Sequence, residues 1–224
     1  MHIPTLDWKL SPDAAAAEQS ALSARTRAEN DFGALSLVAG IDVGFENDGE
    51  IARAAVVVLT FPDLERIESV VARRPVTFPY IPGLLAYREV PVIFDALEKL
   101  QHVPDILLVD GQGRAHPRRF GIACHVGVLL DMPSIGCAKS ILVGRANVPE
   151  NRVGARTPLI HKNEIVGVAL RTKLNTKRVV NPVYVSVGHR VELDTAADFV
   201  LQCCRGYRLP EPTRCAHNAA SGKW

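Results

Sequence analysis

The order of the apolar segments is the feature that most constrains the fold of this chain. Three apolar, β-branched segments at 37–43, 54–61 and 66–76 follow one another with only short connections, and each is predicted to be a strand. Because strands joined by short turns pair antiparallel, this part predicts a meander. The rest of the chain alternates between helical and strand patterns, which indicates an α/β protein with a mixed sheet flanked by helices.

The later elements are predicted from periodicity and from local start and stop signals. Helices are expected at 12–29, 89–100, 119–130 and 194–204, the first capped by Ser11 and the last by Asp194, and strands are expected at 106–109, 134–138, 165–170 and 183–187. The length of 224 residues suits a single domain, in which residues 1–35 form an N-terminal helical extension.

Targeting and cysteine patterns point to an intracellular protein. No stretch approaches the roughly 18 apolar residues of a membrane span, and residues 1–10 lack a basic region followed by an apolar run. We therefore expect a cytoplasmic protein without membrane contact. The five cysteines include no C-x-x-C pair, which favours buried free thiols over a disulfide framework or a zinc site. Nothing in the sequence indicates a protein partner.

Charge is distributed unevenly along the chain. Residues 1–110 carry a formal charge of −8, whereas residues 111–224 carry +10. Such asymmetry favours a basic surface in the C-terminal half that binds phosphates. The alternative is that these charges are scattered over solvated faces.

Two aspartates stand where apolar strands are predicted. Asp42 lies within the first strand and Asp110 ends the strand at 106–109. An ionised carboxylate there is costly unless it is paired or coordinated, and two of them on adjacent strand ends would supply the oxygen ligands that Mg²⁺ prefers. Glu89, after a Pro-Gly loop, could supply a third ligand. Both aspartates could instead start turns, and Glu89 could simply stabilise a helix N-terminus.

Candidate positive groups follow the two acidic strands. Lys139 comes directly after the strand at 134–138, and His116 lies in a loop with Arg114, Arg118 and Arg119 just past Asp110. Hydrolysis of a phosphodiester needs positive charge near the phosphate, so this loop and Lys139 are candidates for holding it. A solvated lysine and a basic turn that caps a helix are the alternatives.

Several segments together resemble the endonuclease V family. They are 39–45 (AGIDVGF), 78–84 (FPYIPGL), 87–89 (YRE), 109–113 (VDGQG), 115–123 (AHPRRFGIA) and 133–140 (PSIGCAKS), with weaker matches at 188–190 and 208–214. The combination of P-Y-I-P-G with D-G-x-G-x-x-H-P-R-R is specific, whereas D-G-x-G alone would be weak. The resemblance implies a ribonuclease H-like fold and cleavage of DNA at deaminated bases, chiefly inosine, with Mg²⁺ as cofactor and Mn²⁺ as an alternative.

The resemblance also implies roles for individual residues. It implies hydrolysis of the second phosphodiester on the 3′ side of the lesion, which leaves a 3′-hydroxyl and a 5′-phosphate. The implied catalytic residues are Asp42, Glu89, Asp110, His116 and Lys139, the three acids being metal ligands. The implied wedge that fills the place of the flipped base is Pro79, Tyr80, Ile81 and Pro82. The implied lesion pocket is Gly83, Leu85, Gly111, Gly121 and Ile122, and the implied phosphate contacts are Arg88, Arg118 and Arg119.

Two other functions stay open at the level of sequence. The first is an inosine-specific endoribonuclease, because the sequence shows no test for a 2′-hydroxyl. The second is a non-catalytic nucleic-acid-binding module, against which the three intact acids argue.

Overall fold

A mixed sheet of eight strands organises the protein in the computed structural model, which describes residues 1–174 and 180–222. The strands are β1 (Leu37–Glu46), β2 (Ile51–Thr60), β3 (Arg66–Pro75), β4 (Ile106–Val109), β5 (Ser134–Ala138), β6 (Arg156–His161), β7 (Glu164–Leu170) and β8 (Val183–His189). The helices are α1 (Pro12–Ser23), α2 (Ala86–Leu97), α3 (Ile122–Leu130), α4 (Leu193–Gln202) and α5 (Glu211–Ala220). The order across the sheet is β3-β2-β1-β4-β5-β8-β7-β6.

Strands β1 to β3 form the predicted antiparallel meander. The chain then crosses over so that β4 pairs parallel with β1 and β5 pairs parallel with β4. The register of β1 with β4 places Ile41 beside Val109. The residues that follow this aligned pair, Asp42 and Asp110, are therefore neighbours at one end of the sheet.

Two helical layers cover the sheet. In β1 the side chains alternate, so that Ala39 and Ile41 pack towards α2 and α3, whereas Val38 packs towards α4 and α5. Both faces of the sheet are apolar and buried, which explains why the central strands are continuous apolar runs rather than alternating ones. Helix α1 packs elsewhere: its Ala15 contacts the segment around Phe78 and Leu84.

Several predicted boundaries were wrong. Helix α1 ends at Ser23 instead of about Glu29, because Arg27 directs its backbone to Arg190 and His189 rather than to a further helical turn. Helix α2 begins at Ala86, so it already includes Glu89 in its first turn. Helix α3 begins at Ile122, not at residue 119. Helix α4 begins at Leu193, so Asp194 lies within its first turn.

Two elements were not predicted, β6 and α5. Both begin in segments with proline, which sequence rules treat as breakers. In α5 the prolines are tolerated, since Pro210 occupies the N-cap and Pro212 the first turn, where a backbone N–H has no helical partner to lose. The five cysteines are free thiols, as predicted, but only Cys124, Cys137 and Cys203 are buried, whereas Cys204 and Cys215 are partly exposed. Within the described ranges, no helix has both the length and the apolar character that crossing a membrane requires.

Candidate active site

Asp42 and Asp110 converge at the end of the sheet. The backbone N–H of Asp110 donates to the carbonyl of Ile41 at 2.8 Å, which continues the β1–β4 ladder and brings the two carboxylates to the same edge. Their side chains are 11% and 7% exposed. With His217, they form a group whose ligand atoms all lie within 4.8 Å of one another. The two aspartates therefore meet as the sequence predicted, but their immediate partner is a histidine that it missed.

His217 reaches Asp42 from helix α5, which lies against β1. Its Nδ1 is 2.7 Å from Oδ2 of Asp42. Gly40 and Gly44 flank Asp42 on the same face of β1, and they let α5 approach closely: a Cβ on Gly40 would lie 1.9 Å from the carbonyl oxygen of Pro212. A histidine in the C-terminal segment was the available signal, but no local pattern ties it to a strand 175 residues earlier.

Lys139 is part of the same group. Its Nζ lies 2.5 Å from Oδ2 of Asp110 and 3.2 Å from Nδ1 of His217. Lys139 is therefore not a solvated lysine without a partner, because it forms an ion pair with Asp110. The two contacts of His217 demand opposite roles of one nitrogen, because Nδ1 would have to donate to the Asp42 carboxylate and accept from the Lys139 ammonium. Among the described residues, the buried Oδ2 of Asp110 has no partner with hydrogen-bond geometry, despite the nearby ammonium.

Glu89 faces this group from α2, on the opposite face of the sheet. Burial, followed by the negative charges of Asp42 and Asp110, raises the pKa of the Glu89 carboxyl to about 8. Burial and the charge of Asp42 also raise the pKa of Asp110, while Lys139 opposes that shift. The charges of both aspartates affect the pKa of Glu89, but Glu89 is not one of the three residues whose ligand atoms converge, Asp42, Asp110 and His217.

These residues fit a divalent cation. The carboxylates of Asp42 and Asp110 carry more negative charge than Lys139 neutralises. Asp110 Oδ2 lacks a partner with hydrogen-bond geometry in the part of the chain that the structure describes, and Asp42 and Lys139 make conflicting demands on His217 Nδ1, so this set of donors suits a cation. Carboxylate oxygens with one imidazole are ligands suited to Mg²⁺ or Mn²⁺.

A cleft of about 390 Å³ opens beside the acids. Its lining contains the predicted lesion-pocket residues Gly83, Leu85, Gly111, Gly121 and Ile122, the wedge residues Tyr80, Ile81 and Pro82, and the candidate catalytic residues Glu89, Asp110, His116 and Lys139. Pro79 is not part of the lining. Tyr80 is 71% exposed. A larger, open groove of about 970 Å³ shares only Ile141 with this cleft and contains none of the acids.

His116 lines the cleft but directs both ring nitrogens into the protein. Its Nδ1 is 3.2 Å from the backbone N–H of Arg118 and accepts from it, so the proton is on Nε2, which donates to the carbonyl of Gly83 at 3.1 Å. Burial, and then the charge of Arg118, lower the pKa of His116 to about 4. The residue is therefore a neutral anchor for the loop at Gly83, and its assistance to catalysis stays a prediction.

The three arginines predicted to contact phosphate are already engaged within the protein. Arg88 donates to the carbonyls of Phe78 and Gly49. Arg118 donates to the carbonyl of Gly83, and Arg119 bonds to Glu164 at 2.7 Å. These guanidinium groups hold the loops that shape the cleft, so their contact with phosphate stays a prediction.

Comparisons with known proteins agree with this geometry. The family model described as Endonuclease V matches residues 20–218. Endonuclease V of Trichormus variabilis is 52% identical over 217 residues, which are 96% of this chain and 96% of that protein. The crystal structure of endonuclease V from Streptomyces avermitilis superposes with a TM-score of 0.90 at 39% identity, covering 98% of this chain and 95% of the other.

A second solved structure carries nucleic acid. Endonuclease V of Ciona intestinalis, solved with a 23-mer DNA containing an inosine followed by a ribo-adenosine, has a TM-score of 0.82 at 27% identity, covering 95% of this chain and 98% of the other. These neighbours confirm the expected ribonuclease H-like fold. With the match along nearly the whole chain, they show that the protein belongs to the endonuclease V family of DNA-repair nucleases.

Proposed function

We infer that this chain recognises deaminated bases in DNA, chiefly inosine, and hydrolyses the second phosphodiester on the 3′ side of the lesion. The observation that carries this proposal is the convergence of Asp42, Asp110 and His217 beside a cleft lined by the wedge and pocket residues. Membership of the family supports it, and so does the inosine-containing DNA bound by the Ciona relative.

The three converging residues would hold Mg²⁺, or Mn²⁺ in its place. The bound cation would supply positive charge against the phosphate and favour the ionised form of the attacking water. Lys139 presents a second positive charge at the same edge of the cleft. Glu89, whose raised pKa makes it a stronger base once it is ionised, would accept the proton of the water. The water oxygen would bond to phosphorus while the bond to the 3′ oxygen breaks, and the leaving 3′ oxygen would take a proton from solvent water, which yields a 3′-hydroxyl and a 5′-phosphate.

Base recognition would use the rest of the cleft. A base must leave the stack before it can enter a pocket, which costs a few kcal/mol. Tyr80 is exposed at the rim and flanked by Pro79 and Pro82, whose fixed φ angles leave the loop little entropy to lose on insertion. Backbone groups near Gly83, Gly121 and the other pocket residues can then meet the donor and the acceptor of hypoxanthine.

A nicking assay tests the proposal. Two duplexes that differ only by inosine or adenosine at one position are incubated with the protein and Mg²⁺, and the cut position is mapped on a sequencing gel. We expect cleavage of the inosine strand only, at the second phosphodiester, and none in EDTA. Asp42→Ala and Asp110→Ala should each abolish cleavage while DNA binding persists. Cleavage that ignores inosine, or that survives EDTA, would refute the proposal.

A second candidate function is cleavage of inosine-containing RNA. The DNA bound by the Ciona relative has a ribonucleotide directly after the inosine, which favours a groove that accepts a 2′-hydroxyl there. Three inosine strands of one sequence separate the candidates: all DNA, all RNA, and DNA with one ribonucleotide after the inosine. A kcat/KM for the RNA strand well above that for the DNA strand would make RNA the substrate.

A further inference from the structure

Helix α1 contributes a side chain to the cleft although its sequence carries no recognised motif. Gln19 is fully buried, and it lines the cleft together with the wedge and pocket residues. A buried amide in a helix without a recognised motif calls for a physical reason, because its donor and acceptor must both be satisfied.

Both polar atoms of the Gln19 amide form hydrogen bonds, one to the segment at Phe120 and the other to Arg118, which binds the segment at Gly83. Its Nε2 donates to the carbonyl of Phe120 at 2.8 Å, and its Oε1 accepts from Nε of Arg118 at 2.5 Å. The Arg118 guanidinium in turn donates from Nη2 to the carbonyl of Gly83 at 2.6 Å. Gln19 therefore links the two walls through a continuous chain of hydrogen bonds.

The two groups held in this way adjoin the predicted lesion pocket. Phe120 directly precedes Gly121 and Ile122, which form one wall. Gly83 directly follows the wedge and belongs to the other wall; its φ of +82° is a left-handed conformation that the two donors on its carbonyl help to fix.

We propose that Gln19 is a positioning residue for base selection, which sets the separation of the two pocket walls. The inference rests on the proposed recognition of deaminated bases. A pocket that reads a base edge through backbone groups must hold them within the narrow range of hydrogen-bond lengths, about 2.7–3.2 Å. The backbone cannot adjust this spacing by a rotamer change, so a side chain that connects both walls through hydrogen bonds helps to fix it. Gln19 is such a side chain.

Three variants of one residue test the role, with one control. Gln19→Met keeps the length of the side chain but removes both hydrogen bonds, and Gln19→Ala removes them without a longer apolar chain. Gln19→Glu keeps an acceptor for Arg118 but has no donor for the Phe120 carbonyl, so it breaks the link at one end only. The control is Ala17→Gly, an exposed position of the same helix where glycine weakens α1 without touching the cleft.

The primary measurement is the ratio of kcat/KM for inosine and adenosine duplexes. For Gln19→Met and Gln19→Ala we expect the ratio to fall roughly tenfold, the loss of a hydrogen bond to a charged group, equivalent to about 1.4 kcal/mol. Gln19→Glu should lower the ratio by a similar factor, because its carboxylate cannot donate to the Phe120 carbonyl, whereas Ala17→Gly should lower Tm but leave the ratio unchanged. Either Gln19→Met or Gln19→Ala is sufficient for the test if only one of them folds, because each removes the hydrogen bonds to both Phe120 and Arg118.

Hydrogen exchange gives a second readout that does not depend on activity. The amides of Leu84 and Gly121, both hydrogen-bonded in the wild type, should exchange faster in Gln19→Met than in Ala17→Gly. If the wild type prefers inosine and Gln19→Met keeps the same ratio, the inference is wrong and the proposed function stands. A wild-type ratio in Gln19→Glu would contradict the link through Phe120. If the wild type shows no preference for inosine, the proposed function fails, and exchange alone decides whether Gln19 holds the two walls.

Discussion

Gly40→Ala is expected to damage metal binding without touching a metal ligand. Gly40 lies under the start of α5, and a Cβ there would come within 1.9 Å of the Pro212 carbonyl oxygen and 2.1 Å of its carbon. Ordinary contact begins at 3.4 Å, so the start of the helix would have to retreat by about 1.5 Å. His217 lies on the same helix, and metal–ligand distances tolerate only about 0.2 Å.

The magnitude follows from these distances. Overpacking a filled interior costs about 1–3 kcal/mol, which for a domain of this size corresponds to a decrease in Tm of roughly 2–12 °C. Displacement of the groups around a metal ligand weakens metal binding by about 10–100-fold. We therefore expect at least about tenfold weaker Mn²⁺ binding by calorimetric titration, and a nicking rate that recovers partly at high metal concentration.

Gly44→Ala is the matched control. Its Cβ would lie 3.2 Å from the Ala220 carbonyl oxygen, a contact that a shift of a few tenths of an ångström relieves. Mn²⁺ affinity should then stay within about threefold of the wild type. If Gly40→Ala binds Mn²⁺ as tightly as Gly44→Ala, the close approach of α5 is not what positions His217.

Three further predictions concern the site itself. His217→Ala should weaken Mg²⁺ binding and slow nicking at limiting metal, whereas Asn218→Ala on the same helix should not; equal effects would contradict a ligand role. Because the pKa of Glu89 is raised to about 8 and a cation bound beside it favours the ionised carboxyl, calorimetric titrations between pH 6 and 8 should show metal affinity rising by up to about tenfold per pH unit, and Glu89→Gln should flatten that rise. Tyr80→Ala should lower the inosine-to-adenosine ratio in nicking assays, while Tyr80→Phe should retain it, since a wedge needs the ring and not the hydroxyl; loss in both would refute the wedge.

The pKa of Glu89 also fixes the sign of a stability effect. The folded protein holds this proton more tightly than the unfolded chain, whose glutamate has the ordinary value of 4.5. Stability of the metal-free protein is therefore complete below about pH 4.5 with respect to this group and decreases as the pH rises towards 8. Saturating Mg²⁺ should reverse the trend in thermal unfolding, because the cation favours the ionised carboxyl.

Sequence patterns predicted most of the sheet because the strands are buried on both faces and are read as apolar runs. They also predicted the meeting of Asp42 and Asp110, since parallel strands bring their carboxyl ends to one edge. His217 was not predicted as a site residue, because no local sequence pattern indicates which strand a distant helix packs against. Its helix was further concealed by Pro210 and Pro212, whose positions at the start of α5 are permitted ones.

The basic residues show a different limit of sequence reasoning. Counting charges predicted a phosphate-binding C-terminal half, but it could not tell a free guanidinium from one that is already bonded. Arg118 and Arg119 both lie in the basic loop, and the structure uses them to hold Gly83 and Glu164. Lys139 forms an ion pair with Asp110, and its assistance to catalysis stays a prediction. Charge patterns therefore predict the character of a surface better than the role of a residue.

The short segment around Asp42 shows why a motif can be specific although its chemistry needs only one residue. Asp42 supplies the carboxylate, whereas Gly40 and Gly44 supply the space in which α5 brings His217 to it. Ile41 belongs to the opposite face, where it fixes the register with Val109 and so the position of the second aspartate. Packing and catalysis thus constrain the same few positions, and loss of activity on substitution in this segment identifies a ligand only if the metal affinity, the unfolding temperature and the rate are measured together.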